Sequence, residues 1–135
     1  DLAKGSLAVA LVKTWGQSDW VFWVALSSVL GHIFTPWLKF KGGKGVATLC
    51  GALLMASSKL LLLVLLVFII CFVFTRIVSL SSITAVLALP LFAFYLFESL
   101  DINFLLIVIL SLIIIVKHRS NIDRLLKKEE PTFHF

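Results

Sequence analysis

The chain has 135 residues, 61% hydrophobic and 14% charged, with a formal net charge of +5 and a mean hydropathy of +1.11. Soluble domains carry roughly 45–50% apolar and about 25% charged residues, so there is too little polar material here to cover a water-facing surface. This excludes a soluble globular enzyme and predicts an all-α, polytopic integral membrane helical bundle. In such a protein the placement of the positive charge matters more than its size, and no nucleic-acid partner is expected.

The chain opens at Asp1, not Met, and turns apolar at once, with no signal peptide ahead of it. It is expected to be part of a longer or matured protein. Six apolar stretches follow, at about residues 3–14, 20–34, 46–57, 59–75, 82–97 and 102–116. A crossing takes roughly 20 helical residues, so the shorter stretches are expected to be partial, tilted or extended by polar flanks. Stretches 59–75 and 102–116 are almost unbroken Leu, Ile, Val and Phe. Stretch 46–57, with Gly51, Ala52 and Ala56, is suited to close helix packing. Cys50 and Cys71 lie inside apolar stretches without C-x-x-C spacing and read as buried structural thiols.

Between the second and third stretches, residues 31–48 read GHIFTPWLKFKGGKGVAT. Lys39, Lys41 and Lys44 surround Gly42, Gly43 and Gly45. Glycines let backbone N–H groups approach an anion closely, and a helix starting just after them adds its positive dipole end. The segment reads as a phosphate cradle at the lipid–water boundary. The plainer alternative is a turn flanked by snorkelling lysines. It is not a Walker loop: Leu38 stands where that spacing needs Gly, and Gly45 where it needs Ser or Thr. Nucleoside triphosphate hydrolysis is therefore disfavoured.

Two further polar groups interrupt the apolar pattern. Arg76, Ser79, Ser81 and Ser82 form either an interfacial connector with a helix cap or a set of hydrogen-bond donors to phosphate. Lys117-His118-Arg119-Ser120-Asn121 follows the last stretch, where His118 is either an ordinary interfacial residue or a site residue. If the stretches alternate in direction, ten of the twelve basic residues fall on one side: Lys4, Lys39, Lys41, Lys44, Arg76, Lys117, Arg119, Arg124, Lys127 and Lys128. The positive-inside rule makes that side cytoplasmic. The glycine loop, the serine connector and the tail at 117–135 then share a face. The tail is expected to lie on the membrane surface, within a single membrane domain spanning residues 1–135. The histidines show no metal-ligand spacing, and no metal or other cofactor is expected.

These residues resemble the bacterial acyl-phosphate:glycerol-3-phosphate acyltransferases, the integral-membrane Y-type enzymes of phospholipid synthesis. Gly31-His32-x-Phe34 through Phe40-Lys41-Gly42-Gly43-Lys44-Gly45-Val46-Ala47-Thr48 is similar to that family's second motif. Arg76-x-Val78-Ser79-x-x-Ser82-Ile83 resembles its third. His118-Arg119-x-Asn121-Ile122-x-Arg124-Leu125-Leu126 resembles its C-terminal signature, and Asp1-x-x-Lys4-Gly5 the start of an early membrane helix. The family's upstream Ser-Gly-Asn-x-Gly-Ala-Thr-Asn motif has no counterpart here. By resemblance the complete protein has seven membrane helices, about six of them represented, and this portion alone is expected to be inactive. His118 and Asp123 also satisfy the H-x-x-x-x-D spacing of a different class of glycerolipid acyltransferases. That class is α/β, however, and Asp123 is given no catalytic role.

The resemblance implies a fatty acyl phosphate as donor, sn-glycerol 3-phosphate as acceptor, and lysophosphatidic acid and inorganic phosphate as products, made at the cytoplasmic face of a bacterial inner membrane. It implies a phosphate site built from Gly42, Gly43, Lys44, Gly45, Ser82, His32 and Arg76, with His118, Asn121 and Ser79 in catalytic roles. His118 either ligates phosphate or assists proton transfer, and a substrate phosphate oxygen is the alternative proton acceptor. No Ser-His-Asp or Cys-His arrangement suggests a covalent acyl-enzyme. The competing readings are a small anion or lipid transporter and a non-catalytic membrane subunit whose basic loops touch anionic headgroups.

Overall fold

The computed structural model describes residues 1–39 and 42–135, the side chain of Leu38 excepted. Phe40 and Lys41, the centre of the expected cradle's approach, lie outside the described residues. Among those described there are seven α-helices: α1 (Leu2–Thr14), α2 (Val21–Ile33), α3 (Val46–Ala56), α4 (Ser58–Thr75), α5 (Val78–Phe97), α6 (Ile102–Lys117) and α7 (Arg119–Leu126). Short 3-10 turns at Ser18–Trp20 and Pro36–Leu38 enter and follow α2. The six apolar stretches all appear as helices.

One boundary differs from the sequence expectation in a way that matters for the site. Helix α5 begins at Val78, so Ser79, Ser81 and Ser82 occupy its first turns and are not part of a free connector. The serine hydroxyls explain the tolerance: Ser81 Oγ donates to Ile77 O and Ser82 Oγ to Val78 O, folding polar groups back onto the helix backbone. Helix α4 closes at Arg76, which takes the left-handed conformation at φ 56° and leaves one residue, Ile77, before α5.

Helices α4 and α5 are each long and apolar enough to cross a membrane, and α6 with α7 reaches that length and apolarity only when the two are taken together across a 57° bend. Helix α3 is apolar but has only 11 residues. Ser57 caps α4 by accepting from Leu60 N, and Asp101 caps α6 by accepting from Phe104 N. The core joins Val9 of α1, Ala25 and Val29 of α2, Leu49 and Leu53 of α3, Leu60 of α4, Leu89 of α5 and Leu110 and Ile114 of α6. Large apolar side chains such as Leu62, Phe74 and Leu91 remain exposed, as expected of surfaces turned toward lipid.

The α1–α3 pair is the tightest seam. A Cβ on Gly5 would run into Thr48 O and one on Gly51 into Leu2 O, so both glycines exist to let two backbones touch. Ser6 Oγ reinforces the seam, within 3.0 Å of Gly51 O. This close packing sets the start of α3 beside the start of α1 and the end of α2, where the glycine loop turns.

Candidate functional site

A cleft of about 750 Å³ opens at one end of the bundle. It lies within the range of small-molecule sites. Its walls come from all three polar segments: His32, Gly43, Lys44 and Gly45 from the loop into α3, Ser79 and Ser82 from α5, and His118 and Asn121 from the α6–α7 bend. Segments separated by up to 89 positions thus converge on one mouth. On its apolar side the cleft is lined by Val46, Ala47, Phe68, Val78 and Phe133.

The glycine loop is built for close approach. Gly45 sits at φ 86°, in the left-handed region, and serves as the N-cap of α3. A Cβ there would press on Val29 Cγ1. Among the described residues, the amides of Gly43, Lys44 and Gly45 donate to no backbone carbonyl. Those at the start of α3 lack intrahelical partners by construction, so the positive end of the helix dipole faces the cleft beside the Lys44 ammonium. Gly42 behaves otherwise. Its N–H donates to Ile33 O at 3.0 Å, and a Cβ on it would collide with His32 O. Its amide is spent on folding the loop against α2, and the residue lines a smaller adjoining cavity of about 410 Å³ with Asp1, Lys4, His32, Thr35 and Trp37. Among the described residues, the loop's uncommitted backbone amides are therefore those of Gly43, Lys44 and Gly45 leading into α3, while Gly42 fastens the loop to α2.

His118 is 2% exposed, and its Nδ1 lies 2.8 Å from Ile114 O. A carbonyl only accepts, so Nδ1 carries the proton and Nε2 of the neutral ring is left with a bare lone pair. Burial lowers the imidazole's pKa, the bond to Ile114 opposes this, and the Lys44 charge lowers it further. The neutral form is thereby favoured.

The central polar group of the cleft is one that sequence reasoning passed over. Glu130, with its side chain 6% exposed, accepts from Ser79 Oγ, from Asn121 Nδ2 at 2.7 Å, and from Arg124 Nε at 2.7 Å. Burial would raise its carboxyl, but the hydrogen bonds from Ser79, Asn121 and Arg124, together with the Arg124 charge, hold it down at about 2. The tail then turns back over the cleft, with Glu130, Pro131, Thr132 and Phe133 along its wall. Phe133 N donates to Arg76 O at 2.7 Å, and the rings of Phe133 and Phe135 pack on Phe72. The only hint in the sequence was an acidic pair, Glu129-Glu130, set before Pro131 in a predominantly basic tail.

The remaining expected site residues divide. Ser79 and Asn121 line the cleft but are tied to Glu130, and Ser82 lines it with its hydrogen directed to Val78 O. Arg76 is not brought to the cleft wall: its guanidinium lies 5.3 Å from the centre of the Phe135 ring, in cation–π contact. His32 lines both cavities, 3.2 Å from the Asp1 carboxylate. Asp123, given no role in catalysis, pairs with Lys127 on the exposed side of α7.

A family model described as glycerol-3-phosphate acyltransferase matches residues 1–128. A glycerol-3-phosphate acyltransferase of Prochlorococcus marinus (strain NATL2A) is 44% identical over 135 residues, covering 97% of this chain and 68% of that protein. One from Aquifex aeolicus (strain VF5) is 42% identical, covering 98% and 70%. The fold is similar to a crystal structure of PlsY, an integral membrane glycerol 3-phosphate acyltransferase, in its lysophosphatidic acid form, with a TM-score of 0.87 and 38% identity over 98% of this chain and 68% of that one. It is similar also to the glycerol 3-phosphate form, with a TM-score of 0.84 and 39% identity over 94% of this chain and 64% of that one.

Proposed function

Because this chain belongs to the glycerol-3-phosphate acyltransferase family, we propose that it forms the catalytic bundle of a membrane enzyme that acylates sn-glycerol 3-phosphate from a fatty acyl phosphate. The products are lysophosphatidic acid and inorganic phosphate. The observation that carries the reading is the meeting of the Gly43–Gly45 amides, Lys44, His118 and Asn121 in one cleft with an apolar side wall. Free amides and an ammonium suit a phosphate; Phe68, Val78 and Phe133 suit the start of an acyl chain.

The chemistry needs little beyond placement. An acyl phosphate is an activated anhydride, so the acceptor hydroxyl adds to the acyl carbon, the carbon–oxygen bond to phosphate breaks, and phosphate leaves with the electron pair. Positioning and charge stabilisation supply most of the acceleration. The Gly43–Gly45 amides, the α3 start and Lys44 hold a phosphate and its developing charge. His118 Nε2, the bare nitrogen, accepts the hydroxyl proton as the new ester bond forms. Asn121 and Ser79, anchored by Glu130, hold the opposite wall. The basic residues of the expected inward side support a cytoplasmic mouth in a bacterial inner membrane, with residues 117–135 as a cytoplasmic tail.

Purified intact protein given acyl phosphate and labelled glycerol 3-phosphate, without acyl-CoA, tests this directly. Labelled lysophosphatidic acid is the expected product. Ion or phosphate flux across vesicles without product would instead favour a transporter, and binding to anionic vesicles with neither would favour a non-catalytic subunit.

A further inference from the structure

Two imidazoles line the cleft, and the proposed chemistry uses one. The second, His32, stands in the last turn of α2 with its side chain 14% exposed, and its Nδ1 lies 3.2 Å from Oδ1 of Asp1 at the mouth of α1. A carboxylate oxygen offers only lone pairs, so this neighbour favours the proton on Nδ1. The other ring nitrogen, Nε2, is then bare. It lies against Gly43: a Cβ built on that glycine would fall on Nε2. Among the described residues Nε2 has no hydrogen-bond partner. Lys4 approaches the same Asp1 oxygen at 3.7 Å, an exposed contact that leaves the carboxylate free to face the ring.

A bare nitrogen beside Gly43 on the cleft wall is the wrong partner for a phosphate, whose oxygens are themselves acceptors. It is the right partner for a hydroxyl. Glycerol 3-phosphate carries two hydroxyls, of which the transfer consumes one. We propose that the Asp1–His32 pair recognises the acceptor substrate's non-reacting hydroxyl, His32 Nε2 accepting its hydrogen while Asp1 fixes the ring's tautomer. This rests on the acyltransferase reading and deepens it. His32 leaves the phosphate set suggested by the sequence and becomes a specificity residue. Asp1, not singled out there, becomes its positioning residue. The mouth then holds two imidazoles in the same state, each with Nδ1–H committed to a fixed acceptor, one for each hydroxyl of the substrate.

The test compares glycerol 3-phosphate with 3-hydroxypropyl phosphate, which keeps the phosphate and the reacting hydroxyl but lacks the second hydroxyl. Intact wild-type protein should favour glycerol 3-phosphate in kcat/KM, and Asp1→Ala should lower that preference about three- to tenfold, the value of one hydrogen bond. Asp1→Asn, whose side-chain oxygen still accepts from Nδ1–H, should restore most of it. A variant that loses activity equally toward both acceptors, or that keeps the full preference, overturns the proposal. Nitrogen-15 spectra of the histidine-labelled wild-type protein give an independent reading that needs no variant. His32 should show protonated Nδ1 and unprotonated Nε2, and the reverse tautomer overturns the proposal. Absence of transfer to either acceptor would defeat the acyltransferase reading itself; transfer to both without discrimination defeats only the hydroxyl assignment.

Discussion

Asn121 donates its side-chain amide to Glu130 at 2.7 Å, nine positions further along the chain and across the bend of the tail. Because an ionised carboxylate cannot donate, this contact decides the orientation of the Asn121 amide: Nδ2 points at Glu130, and Oδ1 is left buried without a partner among the described residues. With Ser79 and Arg124 on the same carboxylate, Glu130 fastens α5, α7 and the tail together at the floor of the cleft.

Glu130→Gln should therefore unfasten three elements at once. The new amide keeps one acceptor oxygen where the carboxylate had two, so its N–H₂ must face at least one of the donors Ser79, Asn121 and Arg124, donor against donor. A loss of about 1–3 kcal/mol of stability is expected, since a charged hydrogen-bonded acceptor is removed from a buried place. Thermal unfolding in detergent or nanodiscs measures it, with acyl transfer falling in parallel because Ser79 and Asn121 lose their anchor.

The same carboxylate predicts a pH dependence of the tail. Its pKa is depressed from 4.5 to about 2, so its contribution is fully present above the ordinary value and is lost as pH falls toward the depressed one. At the pH where an ordinary glutamate is half protonated, Glu130 should still hold the tail. Hydrogen exchange at the Phe133 amide, which donates to Arg76 O, reports the closure. After correction for intrinsic rates, protection should persist through that range in the wild type. Opening at the ordinary glutamate pH would refute it.

Gly43→Ala places a methyl group on His32 Nε2 and must push the ring or the loop aside. The amides of Gly43 to Gly45 then lose their alignment with the α3 start. KM for a phosphate-bearing substrate should rise about tenfold or more, equivalent to roughly 1.4 kcal/mol of lost binding. Steady-state kinetics on the intact enzyme decide the matter, and unchanged constants would remove the cradle from the mechanism.

Lys128 adopts φ 58°, in the left-handed region, at the turn that sends the tail back toward the cleft. A side chain in that conformation is strained, and glycine is not. Lys128→Gly should raise stability by about 0.5–1 kcal/mol, net of glycine's larger entropy loss on folding. A higher unfolding temperature with unaltered kcat is the expected result.

Local signals carried a great deal of this protein. Runs of Leu, Ile, Val and Phe long enough to hide a backbone in lipid specify helices whatever surrounds them, and all six apolar stretches became helices. The Gly43-Lys44-Gly45 bend, the serines at the start of α5 and His118 were legible too, because polar atoms and freely turning glycines are costly in an apolar chain unless they bind or bend something. Tertiary structure decided the rest, and did so where one polar group had several partners in reach. Nothing local distinguished the Gly42 amide from those of Gly43 and Gly45 until the end of α2 came within 3.0 Å and claimed it. Nothing local sent Arg76 onto Phe135, or Glu130 into a buried cluster with Ser79, Asn121 and Arg124. A hydrophobic run determines its conformation from its own residues and the solvent. A buried charge is tolerated only where distant segments supply its partners, and that depends on how the bundle closes.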